Sequence, residues 1–239
     1  MAKKEFPKLE GDFSPKGIDF GPADLGGGGG GGLRGKMSAF SGKAFGIIKF
    51  ILGICFLPFV YSISVSFLSE FDLIEKSLGS HFWSGVVSFL IIYLFILEPV
   101  KLYAKGQKLL ELIFNFFKPL VKVAPYLLPV YAIILFALYW PLSLLFPGPG
   151  TTKTFVFLFG FSMALHLVFS AKTMRAKKGD FLKGNYIFGF SFIYILNLAL
   201  LGLFLSLIFN VFSFVNFFNN SYQSARDIFY AVFKQLFLG

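Results

Sequence analysis

Chemically reactive side chains are almost missing from this chain, which holds one cysteine, Cys55, and two histidines, His81 and His166, in 239 residues. A single cysteine excludes an intrachain disulfide and any cysteine-based zinc cluster. There is no HExxH pair and no clustered acidic site in the apolar runs. An intramembrane metalloprotease is therefore excluded, because zinc needs three protein ligands in one place. No nucleophile–base pair stands out either, so the expectation is a non-enzymatic chain with no cofactor and no metal. Charge is scarce as well, at 14% of residues, against about 25% in a typical soluble domain. Such a chain cannot cover a water-facing surface.

Apolar residues fill the gap. They make up 56% of the chain, and 36 phenylalanines bring the aromatic share to 20%. A helix crosses the ~30 Å hydrocarbon layer with about 20 apolar residues. Five segments meet that test: Phe45–Leu68, Phe82–Tyr103, Pro119–Phe146, Thr154–Ala171 and Tyr186–Val215. The expected fold is an all-α polytopic membrane protein. A disordered tail (1–44) would precede a five-helix domain (45–215), and an amphipathic helix (216–239) would follow it.

The net charge of +10 does not point to nucleic acid, because the basic residues sit in short segments between the apolar runs. Lys3, Lys4, Lys8, Lys16, Arg34, Lys36 and Lys43 precede the first span, and Lys76 follows it. The next connection carries Lys101, Lys105, Lys108, Lys118 and Lys122, and the one after it Lys153. Lys172, Arg175, Lys177, Lys178 and Lys183 come before the fifth span, with Arg226 and Lys234 beyond it. High and low counts alternate, which places the N-terminus in the cytoplasm and the C-terminus outside. Trp83 and Trp140 fall near the outer ends of their spans, where indoles favour the interface. The first 45 residues lack the apolar core of a signal peptide, so the first span is expected to act as an uncleaved insertion signal. With simple loops and no organelle signal, the expected location is a bacterial inner membrane.

Two further helices are expected to lie on the bilayer. "KLLELIFNFFK" sets Lys108, Glu111, Asn115 and Lys118 on one stripe, as a cytoplasmic interfacial helix would. In the C-terminal segment Tyr222, Ala225, Phe229, Val232 and Leu236 share a face, with Gln223, Arg226, Asp227 and Lys234 on much of the rest. It would rest on the outer leaflet or dock an outer partner.

Polar residues within spans are functional candidates because they are expensive there. Glu98 precedes Pro99 and stands three residues from Lys101, with which it can pair on a helix face. His166 is expected to hydrogen-bond a neighbouring helix. Asn197 and Ser162 come out at similar depth on antiparallel spans and are expected to bond each other. Gly160, Ser162 and Ala164 suggest a close helix contact. Pro119, Pro125, Pro129 and Pro141 interrupt the third span, where each freed carbonyl needs a new partner or water. The fifth span, thirty residues long, must tilt, kink near Gly202 or project past the outer face.

The tail repeats an acidic–phenylalanine pair every seven residues, at Phe6, Phe13 and Phe20, each followed by a proline. Prolines forbid a coiled-coil helix there. Three copies hung from seven consecutive glycines, Gly26 to Gly32, suit a mobile bait for a cytoplasmic protein through residues 5–22. Three functional readings follow. The first is a non-enzymatic subunit of an envelope complex, partnered by the lipid bilayer, other membrane subunits and that cytoplasmic protein. The second is a small permease or channel component using the proline-broken third span and Glu98. An enzyme working through His166 ranks last.

Overall fold

A computed structural model describes residues 33–96, 100–113, 127–175 and 182–237 of the chain. Every element among them is helical. In chain order they are α1 (Leu33–Phe71), α2 (Lys76–Ile91), α3 (Val100–Ile113), α4 (Val130–Leu145), α5 (Pro149–Arg175), α6 (Leu182–Ile208) and α7 (Phe214–Phe237). α2 runs on into one π-helical turn, Ile92–Ile96.

Four stretches are long and apolar enough to cross a membrane: Ala44–Phe71, Lys76–Phe95, Pro149–Met174 and Tyr186–Ile208. This fits a membrane protein. The expected third span supplies only α4, whose 16 residues reach about 24 Å at ~1.5 Å per residue. Its expected first part lies outside the described residues. The expected second span also moves, to begin before Phe82 and end near Phe95. Lys101 and Tyr103 belong to α3 instead. On α3, Tyr103, Gly106 and Leu110 are buried while Lys101, Lys105 and Lys108 are exposed, an amphipathic division with helical spacing.

Short turns align the spans. Ile74 N–H bonds Phe71 C=O at 3.0 Å and Gly79 N–H bonds Glu75 C=O at 3.1 Å, so α1 closes and α2 opens within a few residues. Between α4 and α5, Thr151 Oγ1 donates to Phe146 C=O at 2.7 Å. Pro149 takes the first position of α5, where its missing N–H costs nothing. α6 is shorter than the expected fifth span. It ends at Ile208, and a turn held by Phe212 N–H on Phe209 C=O at 3.1 Å sends the chain back into α7. Nor does it break at Gly202, which stands instead against the Phe217 ring.

Two pairs of spans carry the fold. In the first, α1 and α6 run side by side: Phe56 stacks on Phe188 with centroids 5.4 Å apart, and Ser64 Oγ meets Tyr194 Oη at 2.8 Å. In the second, α2 and α5 approach until backbone meets backbone. A Cβ added to Gly85 would fall on the Phe157 carbonyl, and one added to Gly160 would fall on the Phe82 carbonyl. Gly160 was expected to sit at a close contact. Its partner Gly85 was not foreseen. α4 joins the pairs, with Phe136 stacked on Phe204 of α6 at 4.5 Å and Tyr139 edge-on to Phe155 of α5 at 5.4 Å. Phenylalanines dominate the common core: Phe67, Phe71, Phe82, Phe159, Phe212 and Phe217 are all buried.

Glycine to alanine inside a helix ordinarily stabilises by about 1 kcal/mol. Gly85→Ala and Gly160→Ala should do the reverse, costing about 1–3 kcal/mol as overpacked contacts do. Gly150→Ala, with nothing within 4 Å of the added carbon, should be neutral or mildly stabilising. Thermal unfolding of the three variants in one detergent checks the contrast. A stabilised Gly85→Ala would refute the backbone contact.

Candidate functional site

Of the residues singled out from sequence, Phe6, Phe13, Phe20, Glu98, Pro119 and Pro125 lie outside the described residues. The others divide between two buried polar contacts and a helix break.

Asn197 and Ser162 are both buried, yet they do not bond each other as expected. Ser162 Oγ donates to Phe159 C=O on its own helix at 3.1 Å. Asn197 Nδ2 donates to Ile193 C=O at 2.7 Å and to Leu127 C=O at 3.0 Å. Leu127 stands just before Pro129, which precedes the first residue of α4. Leu127 is the last helical residue before the break at Leu128 and Pro129, and its carbonyl is taken by a side-chain amide from α6. A buried carbonyl in an apolar surrounding requires such a partner. Depth alone could pair Asn197 with any polar group at its level. The stronger claim comes from an acceptor that has no helical donor. Asn197 Oδ1 remains without a hydrogen-bond partner. Pro141, by contrast, sits within α4, and the helix continues past it.

His166 is 4% exposed, and its ring lies 6.2 Å from that of Tyr103 on α3. Its Nε2 lies 3.4 Å from Ser170 Oγ, one turn on along α5. Ser170 Oγ lies 3.2 Å from Tyr103 Oη on α3. The Tyr103 ring also stacks on Phe169 with centroids 5.2 Å apart. The trio fastens α3 across the end of the bundle where α5 finishes. Ser170 is 0% exposed, so its hydroxyl is placed to bond neighbours and not to attack a solvent-borne substrate. Among the described residues no three His, Cys, Asp or Glu side chains gather as a metal site.

The most unusual polar arrangement lies on α7. Ser213 caps this helix, its Oγ accepting Asn216 N–H at 3.2 Å. The Ser213 N–H is in turn bonded to Glu70 Oε2 at 3.2 Å. Glu70 is 6% exposed and ends α1 next to Phe71, so one buried carboxyl ties the start of α7 to the end of α1. From there α7 turns back along α1. Phe217 meets Phe67 at 6.1 Å, Ser224 Oγ meets Ser62 Oγ at 3.1 Å and Phe229 meets Phe59 at 5.4 Å. Twelve residues of α1 (70 to 59) thus face seventeen of α7 (213 to 229).

The sequence reading set this helix on the outer surface; the structure packs it along α1. Phe59 lies twelve residues inside the candidate span that ends at Phe71, about 18 Å at ~1.5 Å per residue. The face that α7 buries is also rotated from the predicted one. Phe217 and Ser221 are buried together with Ala225, the one member of the expected apolar stripe that is buried, whereas Tyr222, Val232 and Leu236 of that stripe are exposed. Small residues face α1 because α1 offers small residues, the buried Ser62 and Ser66. Close approach of two apolar helices selects such pairs.

Turning Ser221 and Ala225 inward leaves a polar flank uncovered. Tyr61 of α1 with Asn220, Gln223, Ser224, Asp227, Ile228 and Ala231 of α7 lines an open groove beside the helix pair. Asn216, Asn220, Gln223 and Asp227 follow one another at spacings of four, three and four, a single stripe on a helix. Next to the stripe, Arg226 closes on Asp227 at 2.9 Å, both well exposed. Comparison with known proteins finds no match among family models, curated proteins or solved structures.

Two substitutions separate the contacts. Asn197→Leu should lower stability by about 1–2 kcal/mol, because it strands the Leu127 carbonyl. Ser162→Ala loses only a bond within its own helix and should stay within about 0.5 kcal/mol. Glu70→Ala should cost about 1 kcal/mol, the usual loss on removing a helix cap, and should increase proteolysis in the 209–213 turn. An intact turn in Glu70→Ala would show that packing alone seats α7.

Proposed function

We propose that this chain is a non-catalytic, multi-pass membrane subunit that holds partners together. One observation carries the reading: α7 lies along the candidate span of α1 while Asn216, Asn220, Gln223, Arg226 and Asp227 remain exposed. At the level of Phe59 the alternative to a protein neighbour is hydrocarbon. Leaving a charged side chain there costs about 2.5–3.5 kcal/mol even on the mildest scale. A neighbouring polar surface removes that cost, and holding such a neighbour is what a subunit does. On this reading the N-terminus faces the cytoplasm of a bacterial inner membrane. Phe6, Phe13 and Phe20 recruit a soluble protein there.

The permease reading is less well supported. It needs the break before α4 to open a path. Yet the Leu127 carbonyl is capped by Asn197, and Pro129 and Val130 are buried. The break is sealed by protein.

Purification in a mild detergent, after cross-linking in the native membrane, should recover stoichiometric neighbours. Replacing Phe6, Phe13 and Phe20 together by alanine should release a cytoplasmic partner while leaving those held through α7. A chain that emerges alone under every such condition would overturn the proposal. Solute uptake into liposomes that is lost on Glu98→Gln would favour the permease instead.

A further inference from the structure

We infer that the neighbour covering the polar flank of α7 is a second copy of this chain, an inference that rests on the proposed function above. The chemistry of the stripe supports this choice. Asn220 and Gln223 end in amides, and an amide carries donors and an acceptor together. Like can therefore meet like across a two-fold axis, and polar amides at helix interfaces are known to specify pairing in this way. The two charges beside them, Arg226 and Asp227, already neutralise each other at 2.9 Å. A stripe of this kind has no net sign with which to select an acidic or a basic stranger. Its own copy supplies a matching set of donors and acceptors at matching depth. A two-fold interface is isologous, so the same patch serves both partners and no second surface is required.

The shape agrees with the chemistry. The groove lies to one side of the α1–α7 seam, with Tyr61, 60% exposed, forming its α1 wall. The opposite flank of α7 carries Phe218, Tyr222 and Phe233, all exposed and suited to lipid. One flank of the same helix thus suits hydrocarbon and the other does not. The groove runs along the middle of α7. Asn220, Gln223 and Asp227 stand there.

The test uses the full chain in its own membrane. On a Cys55→Ser background, Gln223→Cys should form a disulfide-linked dimer on mild oxidation. Leu138→Cys, exposed on α4, should not. Chains carrying two different tags should co-purify, and Asn220→Leu with Gln223→Leu should weaken that association about tenfold, the worth of two interhelical amide contacts. Absence of the dimer, with Gln223→Cys cross-linked to a different protein, would overturn the second copy and leave the subunit reading standing. Absence of any cross-link would overturn both. Modification of Gln223→Cys by a membrane-impermeant maleimide would then identify a hydrated groove, and its protection a lipid-covered one.

Discussion

Polar groups on helices surrounded by hydrocarbon must be satisfied within the protein, and most of this structure is arranged around that requirement. The hydroxyls obey it locally. Ser64, Ser221 and Thr173 each donate to a carbonyl four residues back, at 2.6, 2.7 and 2.8 Å. Bonds of that kind leave the helix self-contained and say little about its neighbours. The informative cases are those that cannot be met locally. Leu127 C=O, at the proline break, has to recruit Asn197 from α6. The Ser213 N–H, at the start of α7, recruits Glu70 from α1. Each of these two contacts fixes one helix relative to another, and between them they set the depth of α4 and the return of α7.

Packing supplies the rest, and it works by shape. Lipid tails are as apolar as the side chains, so burial from lipid gives the helices no hydrophobic drive to associate. Contact must come from close fit. Where α2 meets α5 the fit comes from removing side chains altogether, at Gly85 and Gly160. Where α1 meets α7 it comes from serine and alanine. Elsewhere phenylalanine rings fill the space, as in the run from Phe71 through Phe67 to Phe217, with successive centroids 5.5 and 6.1 Å apart. Flat rings adapt to the uneven gaps between crossing helices by stacking or meeting edge-on. A chain with 36 of them has many ways to fill such gaps.

Apolar runs were legible because length and hydropathy are properties of one segment. Four of the five expected spans therefore reappear as candidate spans, with shifted ends. Of the third, the described residues hold the shorter α4. Its apolar residues form a real run, but Pro129 stops the helix, and hydropathy does not register a missing N–H. Gly160 was legible as a small residue in a large-residue span. Gly85 was not, because only the crossing with α5 makes it different from any other helical glycine. Asn197 was recognised and its partner mistaken, since the sequence gives depth and not the location of an unfilled acceptor. Glu70 escaped notice because it stands at the edge of a span, where a carboxyl looks like an ordinary loop residue. Nothing in its own segment announces that the chain returns to it 143 residues later.

α7 gave the most to learn. As an isolated helix it is amphipathic, and the natural resting place of an amphipathic helix is an interface between oil and water. Its large side chains, among them Tyr222, Val232 and Leu236, then define the apolar face. In the folded chain a different face wins, because α1 presents a surface on which serine and alanine fit better than tyrosine. Burying small residues wastes little apolar area, but it turns the amides and charges sideways instead of outward to water. An amphipathic helix that only needed to satisfy its own moment would not be oriented this way. Its orientation makes sense once the uncovered flank is counted as a contact surface. On the proposed reading the polar stripe through Asn220, Gln223 and Asp227 is the contact surface, and the exposed Phe218, Tyr222 and Phe233 beside it face lipid.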